Sequence, residues 1–166
     1  MSVAVAARPR VGGAGISAAH WLVLLVPTAL LLGALGFQHF GGLAPCEMCL
    51  WQRWPHLAAV LLAAGALVAG PGARRAMLIV AAGAVLTSGV IALFHVGVEQ
   101  HWWAGPQRCT PSVTGGGDFL NAMLAAPIVR CDVAAWSLAG ISMAGWNAVI
   151  SIATGLGAWA LLGRGR

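Results

Sequence analysis

The 166-residue sequence has no lysine and no tyrosine, and only 8% of its residues are charged. Soluble domains carry roughly 25% charged residues, so this chain cannot cover a water-facing surface. Its 60% hydrophobic content, against roughly 45–50% ordinarily, excludes disorder by the same argument. Cysteine is sparse, with four residues in the chain, too few for a secreted disulfide scaffold. The nine basic residues are all Arg and are scattered along the chain. Without a basic stripe, the net charge of +5 does not point to nucleic acid. With no Lys, the run Gly115–Gly117 is no phosphate loop. What remains is an integral membrane protein with a single domain, residues 1–166.

The rare charges divide the chain. Uncharged runs cover 11–46, 54–73, 76–98 and 133–163, and each holds about the 20 apolar residues that a helix needs to cross a bilayer. This predicts an all-α four-helix transmembrane bundle with spans near 20–39, 54–70, 76–97 and 142–162. The first span follows Arg8 and Arg10 as a signal peptide would, but its apolar core, Trp21 to Leu35, is long for one, and a retained helix is expected. Loops fall at about 40–53 and 98–140, with a tight link at Gly70–Arg75.

Arg8, Arg10, Arg74, Arg75, Arg164 and Arg166 fall on one side of this topology, with no acid. Arg53, Arg108 and Arg130 share the other side with all four acids, Glu47, Glu99, Asp118 and Asp132. By the positive-inside rule both termini are cytoplasmic and the two loops lie outside. Trp51, Trp54, Trp102, Trp103, Trp136 and Trp146 cluster near the outer interface as an aromatic belt. In the long loop, Gly105-Pro106, Thr110-Pro111 and Thr114–Gly117 are turn chemistry. Asp118 is placed to cap a short helix bearing Phe119, Leu120, Met123 and Leu124. Residues 134–146 are expected along the membrane surface.

All four cysteines fall outside the spans, on the acid-bearing side. Cys46 and Cys49 form a Cys-x-x-Cys after Pro45; Cys109 and Cys131 lie 22 residues apart. Two structural disulfides are one reading. The Cys46–Cys49 ring, however, closes too small a loop to stabilise much through chain entropy, and its spacing suits redox cycling. Haem attachment would need His where Leu50 stands. A four-cysteine zinc site would want a second close pair. Arg53, four residues after Cys49, shares a face with it if a helix begins there. It is either a snorkelling interfacial Arg or a group that stabilises the Cys49 thiolate and donates to a carbonyl acceptor. His95, one turn before Glu99, is either paired with it or placed to bond a cofactor or relay protons. His20, His39, His56 and His101 read as interfacial or loop residues.

Pro45-Cys46-Glu47-Met48-Cys49-Leu50-Trp51-Gln52-Arg53 resembles the signature of the bacterial disulfide bond formation protein B family. Phe94–Glu99 resembles the end of that family's third span. Cys109, Cys131-Asp132, Trp136 and Ser142–Asn147 resemble its second loop and the approach to its fourth span. The likeness covers about residues 20–162. It implies an inner-membrane enzyme that reoxidises a periplasmic DsbA-like thioredoxin-fold partner and passes two electrons to the membrane quinone pool, ubiquinone or menaquinone. It also implies that Cys109–Cys131 oxidises the partner, with Cys109 forming the mixed disulfide, and that Cys131 then exchanges with Cys46. Cys49 is then freed as a thiolate facing the quinone, beside Arg53 and His95. The competing readings are a membrane scaffold with two structural disulfides and a vitamin-K-epoxide-reductase-like protein. The latter family usually places its Cys-x-x-Cys near a late span, unlike this chain.

Overall fold

The computed structural model describes residues 11–106 and 129–164. Among them lie four helices: α1 (Val11–His39), α2 (Glu47–Gly65), α3 (Pro71–Glu99) and α4 (Met143–Gly163). A short hairpin of β1 (Ser137–Leu138) and β2 (Ile141–Ser142) directly precedes α4. Cys109, Arg108 and the helix expected after Asp118 lie outside the described residues, as do Thr110-Pro111, Thr114–Gly117, Arg8, Arg10 and Arg166.

The chain is an all-α multi-pass membrane bundle. Residues 14–39 of α1, all of α3 and all of α4 are long and apolar enough to cross a bilayer. α2 has 19 residues, but Gln52, Arg53, Pro55 and His56 interrupt its apolar character. It begins seven residues before the expected 54 because Cys46, in extended conformation, caps it: the Cys49 N–H donates to Cys46 Sγ at 3.2 Å. Glu47 in the first turn complements the positive end of the helix dipole. The link to α3 also lies earlier than expected. Gly70 is the N-cap of α3 and Pro71 stands in its first turn, where a missing N–H costs nothing. Arg74 and Arg75 are therefore helical. α1 begins by Val11 rather than 20, and α4 starts within one residue of its expected place.

The segment 134–146 was expected along the membrane surface. Its middle doubles back, pairing Ser137 with Ser142 and Leu138 with Ile141. Ala139 and Gly140 turn it at φ of 52° and 78°, the two positive angles that a type I′ turn needs. Gly140 suits such a position and Ala139 does not, which is why composition alone points away from a hairpin here.

The interior is built of small side chains. Ala19, Ala59, Ala63, Ala66, Ala81, Ala82 and Ala158 are buried around Val23, Leu78, Val85 and Leu162. Large ones face outward: Leu32 and Leu61 are each 63% exposed. This arrangement suits lipid, where association rests on close backbone approach rather than on expelling water. Gly89 on α3 shows the closeness, since a Cβ there would stand 2.8 Å from Ile152 Cγ1 and 3.1 Å from the Ile152 nitrogen of α4. Gly155 meets Leu86 and the Ala82 carbonyl in the same way.

The two ends of the bundle differ. At one end, Arg74 Nη2 donates to His20 Nδ1 at 3.1 Å and Arg75 Nη2 to the Leu162 carbonyl at 2.7 Å. His20 is buried, not interfacial as expected, because it sits in the seam between α1 and α3. The other end gathers the close of α1 and α3, the starts of α2 and α4, and the aromatics: Phe37 meets Trp136 at 5.0 Å and Phe94 stacks on Trp103 at 5.3 Å. Gly89→Val should force α3 and α4 apart at a cost of about 1–3 kcal/mol and lower Tm in detergent. Val90→Leu, on the adjoining lipid face, should leave Tm unchanged; equal effects would refute the close packing.

Candidate redox site at the aromatic end of the bundle

Every described sequence-predicted site residue collects at this end. Cys46 is buried just before α2, and Cys49 lies in the first turn, ahead of the apolar stretch that begins at 54. Their Sγ atoms are 2.7 Å apart, about 0.7 Å beyond a disulfide bond length. The described cysteines are free thiols. The Cys49 thiol is held below the usual range. The hydrogen bond from Cys46 contributes most and the Arg53 charge adds to it, against the opposing effects of burial and Glu99. Cys46 is pushed the other way, first by its hydrogen bond to Cys49 and then by burial. The pair is thus asymmetric, with the charge favoured on Cys49.

Cys131 is also buried and shares a cluster with Cys46, Met48 and Val98. Its backbone carbonyl lies 3.2 Å from His95 Nε2. The same nitrogen is 3.7 Å from Cys46 Sγ and 3.9 Å from Glu99 Oε1. His95 on α3 therefore stands between one cysteine of each sequence pair and a buried carboxylate. Glu99 also accepts from the Ser142 hydroxyl that caps α4. The Cys46 and Cys49 sulfurs and a ring nitrogen of His95 all lie within 4.8 Å of one another.

Because α2 starts at Glu47, Arg53 does share a face with Cys49. Its Nη1 donates to Gln38 Oε1 at 2.6 Å and its Nη2 to the Ala34 carbonyl at 3.4 Å, both on α1. The guanidinium thus ties α2 to α1 while it lines a cavity of about 400 Å³. Leu30, Phe37, Val133 and Trp136 give that cavity apolar walls, and Cys49, Arg53, His95 and Glu99 also line it. A pocket of this size, mostly apolar with a few convergent polar groups, suits a flat lipid-soluble ligand. On these grounds the residues present fit a quinone ring.

Sequence reasoning missed a second layer. Gln52, Ser88, His56 and Ser151 are buried between α2, α3 and α4, with Asn147 among them. Asn147 Nδ2 donates to Gln52 Oε1 at 2.7 Å, and Gln52 Nε2 donates to His95 Nδ1 at 2.9 Å. His56, expected at the interface, lies 3.0 Å from Asn147 Oδ1 and 2.9 Å from Ser88 Oγ. The available signal was polar residues placed inside apolar runs, where an unpaired group is expensive.

Comparison with known proteins agrees with this geometry. The family model "Disulfide bond formation protein DsbB" matches residues 15–161. A disulfide bond formation protein B of Verminephrobacter eiseniae is 35% identical over 157 residues, covering 87% of this chain and 84% of that protein. Its namesake in Methylococcus capsulatus is 35% identical over 153 residues, covering 85% and 89%. One in an Azoarcus species is 32% identical over 149 residues, covering 82% and 86%. No solved structure matches the chain. With the Cys46–Cys49 pair set beside His95 in a multi-pass bundle, the chain belongs to the disulfide bond formation protein B family of inner-membrane, quinone-coupled thiol oxidoreductases.

Proposed function

We propose that the chain takes two electrons from a periplasmic DsbA-like dithiol through Cys109–Cys131 and delivers them through Cys46–Cys49 to a quinone held against Arg53 and His95. The observation that carries this reading is the placement of Cys131 in one buried cluster with Cys46, with His95 Nε2 facing both residues. In this reading α2 also crosses the membrane, as the second of four spans, residues 40–53 and 98–140 are periplasmic, and both termini are cytoplasmic. The grouping of Arg74, Arg75 and Arg164 at the end away from the cysteines supports that orientation.

Each residue then has a stated task. A partner thiolate attacks Cys109 Sγ to form the mixed disulfide and frees Cys131 as a thiolate; the partner's second thiol then displaces Cys109, so the partner leaves oxidised and the pair is left reduced. Before that pair can be reoxidised, the Cys131 thiolate attacks Cys46 Sγ. The Cys46–Cys49 bond breaks and Cys49 leaves as a thiolate, the form its surroundings favour; Cys109 then displaces Cys46 from Cys131, which restores the Cys109–Cys131 disulfide and leaves Cys46 and Cys49 carrying the two electrons. Arg53 beside it holds that charge and presents N–H donors to the cavity. A quinone, when bound, supplies the acceptor for two electrons and two protons. The Cys46–Cys49 disulfide is restored when both electrons have left. Aromatic and aliphatic walls keep water from the thiolate.

Two variants test the division of labour. Cys109→Ser should abolish turnover with a reduced thioredoxin-fold partner yet leave quinone reduction when a small dithiol supplies electrons directly to Cys46–Cys49. Full turnover with the protein partner would refute the relay. A hydrogen bond to a charged or polarised group is worth roughly 1.5–3 kcal/mol. Arg53→Ala should therefore lower kcat/KM for quinone by about ten- to a hundred-fold, and Arg53→Lys should restore it only in part, since the planar fork is lost. Single-turnover oxidation of the partner should survive in Arg53→Ala. Gln38→Leu removes the tie to α1 and keeps the guanidinium, so its quinone kinetics should stay near wild type. If Gln38→Leu instead matches Arg53→Ala, Arg53 serves only as an anchor.

A further inference from the structure

The polar side chains between α2, α3 and α4 form a chain of hydrogen bonds whose donors and acceptors can be assigned without ambiguity. Gln52 Nε2 lies 3.1 Å from the Met48 carbonyl, which can only accept. That contact fixes the amide: the nitrogen faces Met48 and His95, and Oε1 faces Asn147, whose Nδ2 donates to it at 2.7 Å. Asn147 is fixed in turn. Its Oδ1 accepts from the Ser151 hydroxyl at 2.7 Å, and its Nδ2 reaches Ser88 Oγ at 3.3 Å. The Ser88 hydroxyl donates to the Gln52 carbonyl at 2.9 Å. A flipped Gln52 amide would set oxygen against the Met48 carbonyl and break this chain.

His95 inherits the assignment. Its Nδ1 stands 2.9 Å from Gln52 Nε2, and an amide nitrogen has no lone pair to accept with. Nδ1 is therefore the bare acceptor, and the ring proton resides on Nε2. That N–H points at the Cys131 carbonyl at 3.2 Å, with Cys46 Sγ at 3.7 Å.

We propose that Gln52 is a positioning residue for the thiol chemistry: it holds His95 as a neutral imidazole whose one N–H spans the Cys131 backbone and the Cys46 sulfur. The functional part rests on the reading that Cys131 and Cys46 exchange disulfides. The N–H keeps the two cysteines side by side for that exchange and offers a donor to Cys46 whenever its sulfur carries charge. It also rules out one role. An imidazole with an amide N–H against Nδ1 cannot accept a proton there, so His95 does not pass protons through its ring.

Nitrogen NMR of the full-length protein, labelled with 15N-histidine and reduced in detergent micelles, reads the ring directly. Loss of signals in His95→Gln identifies them. The expected pattern has an unprotonated nitrogen that couples to Hε1 alone, which is Nδ1, and a protonated one that couples to both ring protons, which is Nε2. Gln52→Glu has nearly the same shape but offers Nδ1 an acceptor, so a proton should appear on Nδ1. The titratable groups facing the ring, Cys46, Cys49, Cys131 and Glu99, are unchanged in that variant. Oxidation of the second of two dithiol equivalents by fully oxidised protein without quinone, the step that needs Cys131 to exchange with Cys46, should slow at least ten-fold in Gln52→Glu. A protonated Nδ1 in the wild type, an unchanged spectrum in Gln52→Glu, or unchanged exchange alongside a changed spectrum would each overturn the proposal. If the wild-type protein oxidises no dithiol at all, the oxidoreductase reading fails, and the ring assignment is still decided by the spectrum alone.

Discussion

A bundle that lives in lipid has no water to satisfy its polar groups, and that constraint organises this molecule. Gln52, Ser88, Asn147 and Ser151 must find partners on neighbouring helices, and they find one another. The contacts cross from α2 to α3 and from α2 to α4, so sliding any one helix by a turn would strand several donors at once. Register is thereby set by hydrogen bonds, while the alanines and glycines around them let the backbones approach closely enough to make those bonds.

The reactive end follows from that register. Gln52 is one turn beyond Met48 and six residues past Cys46, so locking Gln52 to His95 brings the cap of α2 against the last turns of α3. Cys46 then serves twice, as the N-cap that starts α2 early and as the sulfur facing His95. Its partner Cys49 is left toward the cavity, on the same helical face as Arg53. The asymmetry of the pair, charge favoured on Cys49 and disfavoured on Cys46, comes first from the hydrogen bond that Cys46 donates to Cys49, with the Arg53 charge adding to it.

Much of this was legible in the residues. Thirteen charges in an apolar chain mark the membrane class and the positions of the helices, and Cys46, Cys49, Arg53 and His95 stand out by type and spacing. Helix ends were less legible. Glu47 and Arg53 look like loop charges until Cys46 is seen to cap the helix, and Gly70-Pro71 looks like a turn although Pro71 opens α3. The Ala139-Gly140 turn was hidden because alanine rarely takes positive φ. The pairing of Gln52 with Asn147 was invisible for another reason. They are 95 positions apart, and no local period links them. Only the packing of α2 on α4 turns two ordinary amides into one fixed pair.

The central claim is that thiol electrons leave through the Cys46–Cys49 end of this bundle to a lipid-soluble acceptor. Its most direct test is the stoichiometry of anaerobic turnover by purified protein, with a reduced thioredoxin-fold dithiol as donor and a quinone as acceptor. One quinone should be reduced for each dithiol oxidised, with no turnover after Cys49→Ala. Dithiol left reduced, with quinone untouched, would contradict it and return the cysteines to a purely structural role.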